Sequence, residues 1–268
     1  MKKLLFSLLL LFSTNIFAQT VEAIEKELLV HLAAVNRLAT KKTGNKLANA
    51  DSLKFANQAF KQKLLSYTAK VPSTLAYQFP QLQKEHLSVA TSDDGKFRIY
   101  TWDTYLGGSS HVYDHIYQYN TGKTINSKSF SYLMKTGEYT GRYLEIITAD
   151  TNNTKVYLGY FYNVFPGKKA FQGVKAFKIE KTNLNDTCTV IKTATGYKNQ
   201  IGFSYDYAHQ HETRDHPHKL FHFFAKEHEF SFPVAMENGE LTNRYHVYKF
   251  KGNHFEKIQK KGKGNVKQ

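Results

Sequence analysis

Residues 88–103 read SVATSDDGKFRIYTWD, and this stretch decides the fold class of the chain. A β-rich run stands on each side of the triplet Asp93-Asp94-Gly95, whose residue types favour a tight turn between two strands. From about residue 86 onward Tyr, Phe, Val, Ile and Thr are dense, and turn signals recur about every eight to twelve positions, as in antiparallel β-proteins. The sequence therefore predicts a mainly β fold.

Further turn signals divide the rest of this region into strands. They are NTG at 120–122, NN at 152–153 and NG at 238–239. Three β-rich runs that open with Lys begin at residues 96, 155 and 219, and each is followed by a strand–turn–strand pattern. The pattern suggests three meanders of about four strands each, arranged as a sandwich, a barrel or a propeller-like fold.

The region before the strands has helical periodicity. Apolar residues recur at steps of three or four over 21–42, namely Val21, Ile24, Leu28, Leu32, Val35 and Leu38. Asp51 is predicted to cap a second helix, and Pro72 is predicted to end the helical stretch. The sequence thus indicates an N-terminal two-helix hairpin.

The first residues have the pattern of a secretory signal peptide. Lys2 and Lys3 precede an apolar run that is too short to span a bilayer, and Ala18 offers a small residue at the cleavage point. No later stretch is long and apolar enough for a transmembrane helix. We expect a soluble bacterial protein in the periplasm or outside the cell.

Four segments follow from these patterns. They are a signal peptide at 1–18, a helical hairpin at 19–84, an antiparallel β domain at 85–256 and a basic C-terminal tail at 257–268.

The chain is strongly basic. Its formal net charge is +15, and removing the two lysines of the signal peptide leaves +13. This balance favours anionic partners such as acidic glycans and envelope components, and export argues against intracellular nucleic acid. The alternative is a solvated basic surface with no specific partner.

Cys188 is the only cysteine, so no intramolecular disulfide forms. In the run TCTV, strand alternation places Cys188 and Val190 on one face. A buried, unreactive thiol is the expectation.

A histidine cluster, HQHETRDHPH at 209–218, is the first candidate for chemistry. Imidazoles two apart on a strand share one face and can bind one metal ion, and Glu212 and Asp215 offer carboxylates. The predicted ligands of zinc or copper are His209, His211, His216 and His218. The spacing fits no standard site, and a histidine-rich surface loop without metal is the alternative.

The second candidate is TWDTYLGGSSHVYDH at 101–115, which holds Ser, His and Asp. GGSSH does not match the nucleophile elbow, and neighbours in sequence face different ways. We therefore expect two strands joined by a glycine-assisted bend, with Trp102 in the core and Asp103 holding a turn.

Other searches of the sequence define no active site. Walker, Rossmann, EF-hand and CxxC motifs are absent, and the carboxylates form no glycosidase-like pair. Strand aromatics can serve as a stacking platform or as core; the candidates are Tyr157, Phe161, Phe203 and Tyr205.

Two runs carry a resemblance to known sequences. SDDGKFRIYTWDTYLGG at 92–108 and FSFPVAMENGELTNRYHVYKFKGNHF at 230–255 resemble a group of uncharacterised secreted proteins from Bacteroidota-type bacteria. The resemblance implies export and a β-rich fold. It implies no activity and no catalytic residues, and it does not include the histidine cluster.

Three functional hypotheses remain open from the sequence. The leading one is a non-catalytic module that binds an anionic glycan or another envelope component. The second is a secreted hydrolase, either with or without a metal ion at the histidine cluster. The third is a structural envelope protein whose helical hairpin contacts a partner through an exposed apolar stripe.

Overall fold

The N-terminal part of the protein is helical. The computed structural model describes residues 20–40, 46–130, 140–151, 154–210 and 218–259. Its helical elements are α1 (Val21–Thr40), α2 (Lys46–Lys70), a 3-10 turn (Pro72–Leu75) and α3 (Pro80–Lys84). The predicted signal peptide at 1–18 lies outside the described residues, as does the tail beyond residue 259.

The apolar stripe of α1 is part of the core. Ile24, Leu28, Leu32 and Val35 are each at most 1% exposed. The start predicted for α2 was wrong, because the helix begins at Lys46 and Asp51 lies inside it with an exposed side chain. Leu and Ala around residues 47–50 are strong helix formers, which extends the helix past the predicted cap.

Fifteen strands follow α3 within the described residues, and all lie after residue 87. They are β1 (Ser88–Thr91), β2 (Phe97–Asp103), β3 (Tyr113–Asn120), β4 (Ile125–Phe130), β5 (Arg142–Thr151), β6 (Thr154–Phe165), β7 (Lys169–Ile179), β8 (Leu184–Asn185), β9 (Ile191–Thr193), β10 (Gly196–Lys198), β11 (Gln200–Asp206), β12 (His222–Phe224), β13 (Glu229–Ala235), β14 (Leu241–Phe250) and β15 (Phe255–Ile258).

The strands form three sheets. Sheet I has the order β1-β2-β3-β4, sheet II the order β11-β7-β6-β5, and sheet III the order β10-β9-β15-β14-β13-β12. Neighbouring strands are antiparallel except β9 and β15, which pair in parallel at Ile191 and Phe255. The predicted mainly β fold behind a helical pair is confirmed, and the described strands form no closed barrel.

The helices and the sheets pack in layers because side chains alternate along the strands. On β2, Tyr100 and Trp102 face the helices, whereas Phe97 and Ile99 face sheet II. The other face of sheet II packs on sheet III through a third, aromatic-rich cluster that includes Phe230. Sheets I and II are therefore each covered on both sides.

The three Lys-led runs do not occupy equivalent positions. The runs at 96 and 155 contain β2 and β6, which are second strands of their meanders, but the run at 219 contains the edge strand β12. The sheets also differ in strand number and order. Shared strand composition, instead of repeated blades, explains the likeness between the runs.

Buried polar groups join the helices to sheet I. The Arg98 guanidinium donates to the carbonyls of Thr74 and Tyr77 and, through Nε, to Thr91 Oγ1 at 2.8 Å. Glu25 accepts the backbone N–H groups of Gln81 and Leu82 at the start of α3. Each of these buried charges has hydrogen-bond partners, as burial requires.

Two further contacts fix α2 on sheet I. Lys61 Nζ lies 2.9 Å from Asp114 in a largely buried ion pair. The indole N–H of Trp102 donates to Asn57 Oδ1 at 3.0 Å. The expectation that Trp102 is a core residue is confirmed, at 1% exposure.

Cys188 is buried, as predicted, in the cluster between sheets II and III that also contains Val190. Burial raises the pKa of its thiol to about 11, so little reactive thiolate forms near neutral pH. Among the described residues, no helix is both long enough and apolar enough to cross a membrane.

His115 lies fully buried between sheets I and II. Its Nε2 donates to the Gly141 carbonyl at 2.9 Å, and its Nδ1 has no hydrogen-bond partner in the described part of the chain. Burial lowers the pKa of His115 to about 4, and the positive charges of Lys175 and Lys61 act in the same direction. The imidazole is therefore neutral in the folded protein.

This burial predicts a loss of stability in mild acid. The unfolded chain protonates His115 below its ordinary pKa of 6.5 and the folded chain does not. The free energy of unfolding should thus fall by up to about 3 kcal/mol as the pH drops from about 6.5 to about 4. Urea unfolding from pH 7 to pH 4 should show a smaller fall for His115→Gln, whereas the exposed control His222→Gln should follow the wild type. Identical slopes for all three proteins would contradict the prediction.

Candidate functional site

The loop between β2 and β3, residues 104–112, holds the Gly107-Gly108 pair. The backbone N–H of Ser110 donates to the Gly107 carbonyl at 3.1 Å. A Cβ on Gly107 would lie 2.2 Å from the Ser110 carbonyl oxygen, and Gly108 has a φ of +65°. The glycine-assisted bend predicted from the sequence is confirmed, and both glycines are needed for its shape.

Asp103 organises this loop from the end of β2. Its Oδ1 accepts the backbone N–H of Tyr105 at 2.8 Å, so Asp103 holds a turn as expected. Its Oδ2 lies 2.5 Å from Nδ1 of His111, with side-chain exposures of 12% for the aspartate and 25% for the histidine. The carboxylate therefore also orients an imidazole.

The outer side of this imidazole is accessible. Because Nδ1 contacts Asp103, Nε2 is the remaining ring nitrogen, and it makes no hydrogen bond within the described residues. The ring stacks on Tyr113 with a centroid distance of 5.8 Å and an interplanar angle of 21°. An Asp-oriented imidazole with an accessible Nε2 is able to accept a proton or bind a ligand.

Tyrosine phenols surround the same end of the sheets. Burial raises the pKa of Tyr113, and the nearby groups of Tyr162 and Asp103 raise it further. The pKa of Tyr105 is also raised, mainly by burial and to a smaller extent by the negative charge of Asp103. The positive charge of Arg142 opposes both shifts, which places its guanidinium within electrostatic range of the two phenols.

Arg142 is the unusual residue of this group. It begins β5 directly opposite Tyr162 of β6, and its side chain is partly buried. Its Nε is inaccessible to solvent and has no hydrogen-bond partner, and no ion pair forms at the guanidinium within the described ranges. By contrast, the buried Arg98 donates hydrogen bonds to backbone carbonyls, and Lys61 forms an ion pair with Asp114.

An unpaired, partly buried guanidinium is a ready receptor for an anion. Its Nε–H has lost water without gaining an acceptor, and the planar fork matches a carboxylate, phosphate or sulfate. The phenols of Tyr105 and Tyr113 can add hydrogen bonds to such a group. We define Arg142, Tyr105, Tyr113 and His111 as the Arg142 site.

Two of the four predicted metal ligands, His209 and His218, belong to the described residues. His211 and His216 lie outside the described residues, as do Glu212 and Asp215. His209 belongs to a 3-10 turn, Tyr207–Gln210, and the exposed His218 accepts a hydrogen bond from Gln172 through its carbonyl at 2.6 Å. Among the described residues, no three His, Cys, Asp or Glu side chains come together to hold a metal ion. The zinc or copper site stays a prediction.

Three of the four aromatic residues considered for a stacking platform belong to the core. Tyr157, Phe161 and Tyr205 are each at most 2% exposed. Phe203 is partly buried and lines a groove beside sheet III.

Sequence reasoning missed Arg142 and the pairing of Asp103 with His111. The β2–β3 hairpin brings Asp103 and His111 together, and the start of β5 supplies Arg142 from a separate sheet. The polar segment 101–115 pointed to Asp103 and His111 as candidates. No local sequence pattern, however, identifies an arginine such as Arg142 that lacks hydrogen-bond partners.

Comparison with known proteins assigns the chain to no family. Neither a scan against protein-family models nor a search of curated proteins finds a match to this chain.

The loop geometry predicts different tolerance at the two glycines. Gly107→Ala should destabilise the protein by about 1–3 kcal/mol, because its Cβ meets backbone that cannot easily move. Gly108→Asn should cost less, since Asn tolerates a positive φ and no atom lies within 4 Å of a Cβ at Gly108. Urea unfolding of both variants is the measurement. Equal stability of the two variants would contradict this account of the loop.

Proposed function

We propose that this protein is exported to the periplasm or beyond and binds an anionic glycan or envelope component without transforming it. Arg142 carries the proposal, because a partly buried guanidinium without a hydrogen bond or ion pair in the described structure gains most from an anionic ligand. The net charge of +15 favours the approach of such a ligand. The signal-peptide pattern at 1–18 supports export.

The proposed ligand group is a carboxylate, sulfate or phosphate on a larger polymer. The guanidinium of Arg142 would bind the charged group through two parallel N–H donors. Tyr105, which is 37% exposed, would contribute its phenol at the edge of the site. Asp103 and Glu85 also act on Tyr105, so the site is not uniformly positive. Selection of one anionic group by a single arginine, instead of attraction by a broad basic surface, follows from this mixture.

Binding to charged polymers tests the proposal. Calorimetric titration with dextran sulfate and polygalacturonate should show binding that weakens with salt, whereas neutral dextran should not bind. Arg142→Gln should weaken binding about tenfold or more, since hydrogen bonds to charged groups contribute about 1.5–3 kcal/mol. Arg142→Lys should recover only part of the affinity because it loses the fork geometry.

Arg37→Gln is the matched control, because it removes the same charge from an exposed position on α1. Equal losses in Arg37→Gln and Arg142→Gln would indicate non-specific attraction and contradict the proposed site. Failure of the wild type to bind either polyanion at low salt would contradict the function itself.

The contact between Asp103 and His111 favours a second candidate function, a secreted hydrolase with His111 as general base. Asp103 fixes the tautomer of the imidazole, as in known acid–base pairs, although no serine hydroxyl of the described residues is hydrogen-bonded to the ring. This version does not need the histidine cluster. The third hypothesis stays a prediction: the predicted apolar stripe of α1 is buried in the core, but Val30 of α1 and Phe55 of α2 are exposed.

Turnover assays separate the two functions. If the protein cleaves chromogenic ester, phosphodiester or glycoside substrates, His111→Gln should lower the rate about 10²–10⁴-fold. His222→Gln, at an exposed position of the edge strand β12, should leave the rate unchanged. An activity that survives His111→Gln would exclude this histidine as the base.

A further inference from the structure

Strand β11 is the edge of sheet II. The hydrogen bonds between β11 and β7 show which backbone groups of β11 point away from the sheet. Ala176 N–H donates to the Asn199 carbonyl at 2.8 Å, and Tyr207 N–H donates to the Lys168 carbonyl at 3.0 Å. In an antiparallel pair every second residue bonds to the neighbouring strand. The register of β11 with β7 therefore turns the backbone groups of Gly202 and Ser204 away from β7.

These outward groups lack partners in the described structure. The next outward residue, Asp206, donates its N–H to the Gly239 carbonyl at 2.9 Å, which confirms the direction of the alternation. No hydrogen bond is formed by the backbone of Gly202 or Ser204 on this side within the described ranges. The segment QIGFSYD of β11 also contains no Lys or Pro, the residues that commonly protect an edge strand.

A groove of about 400 Å³ runs beside this edge. It lies between residues 201–204 of β11 and residues 232–237, which belong to β13 of sheet III and the turn after it, and its volume falls within the range of ligand sites. Phe203 and Phe232 stack in it with ring centroids 5.6 Å apart. The groove thus offers apolar side-chain contacts next to unpaired backbone groups.

The net positive charge of the chain, with Lys257 and Arg244 within electrostatic range of the groove, favours an acidic occupant. His246 lines the groove, and burial lowers the pKa of this histidine, with a further lowering by the charges of Lys257 and Arg244. The lining itself contains Glu237 and no Lys or Arg, so the preference for an acidic occupant comes from charges outside the lining. A second copy of this chain, with its net charge of +15, would bring like charges together.

We propose that β11 accepts an extended acidic peptide of a partner protein as an additional strand of sheet II. Gly202 and Ser204 supply N–H and carbonyl groups to the peptide backbone, as in other cases of strand addition. Alternate side chains of the peptide enter the groove against Phe203 and Phe232. This site is separate from the Arg142 site and does not depend on the function proposed there.

A fluorescent ten-residue peptide of alternating valine and glutamate is a suitable probe for anisotropy titrations with the full chain. Ser204→Pro removes an outward N–H but no bond to β7, and it should weaken binding at least tenfold. Ser204→Ala is the matched control and should bind as the wild type does. Arg142→Gln should also leave this binding unchanged.

A second version of the experiment leaves the protein unaltered. The same peptide with N-methyl groups on alternate residues loses its backbone donors on one side, and methylation of the bonding side should weaken binding at least tenfold. Equal binding of the methylated peptides and the parent peptide would overturn the proposal, as would no binding by the wild type. A wild-type dimer in sedimentation that Ser204→Pro abolishes would also overturn it, since the occupant would then be a second copy.

Discussion

The burial of sheets I and II on both faces is the constraint on which the rest of the structure depends. Along β6 and β7 nearly every side chain must fit one of two cores, so the strands are apolar and aromatic without the usual polar alternation. Glycines make this packing possible. A Cβ on Gly159 would lie 2.8 Å from the Tyr143 ring, and a Cβ on Gly173 would lie 2.8 Å from the Phe171 ring.

Double burial also sets a demand on every polar group in these layers. Arg98, Gln118 and Glu25 meet it through networks that connect the helices to sheet I, and removal of any partner would leave a buried donor or acceptor unsatisfied. Arg142 Nε does not meet it within the described structure, and neither do His115 Nδ1 and Thr101 Oγ1.

Local chemistry made part of this fold predictable. The helical stripe of α1, the turn at Asp93-Asp94-Gly95 and the burial of Cys188 all follow from periodicity and residue type, and the structure confirms them. The predicted start of α2 was wrong by about one helical turn, because the helix propensity of the preceding residues outweighed the capping preference of Asp51.

The order of the layers and the candidate site were less accessible to sequence reasoning. Strand composition does not reveal which sheet packs on which, since aromatic residues suit either core. Likewise, Arg142 joins Asp103 and His111 only after sheets I and II have packed. The free edge of β11 depends on which strands pair with it, and that information is absent from the local sequence.

The position of β15 has a consequence for the order in which the chain can fold. Sheet I is a meander of consecutive strands and can form from neighbouring segments as they become available. Sheet III places β15 between β14 and β9, so the local β9–β10 hairpin joins the rest of the sheet only when residue 255 arrives. Contacts of such long sequence separation form slowly. In the export proposed above, if the N-terminus crosses first, the helices and sheet I would be assembled first, and the cluster around Phe230 and Phe255 would close last.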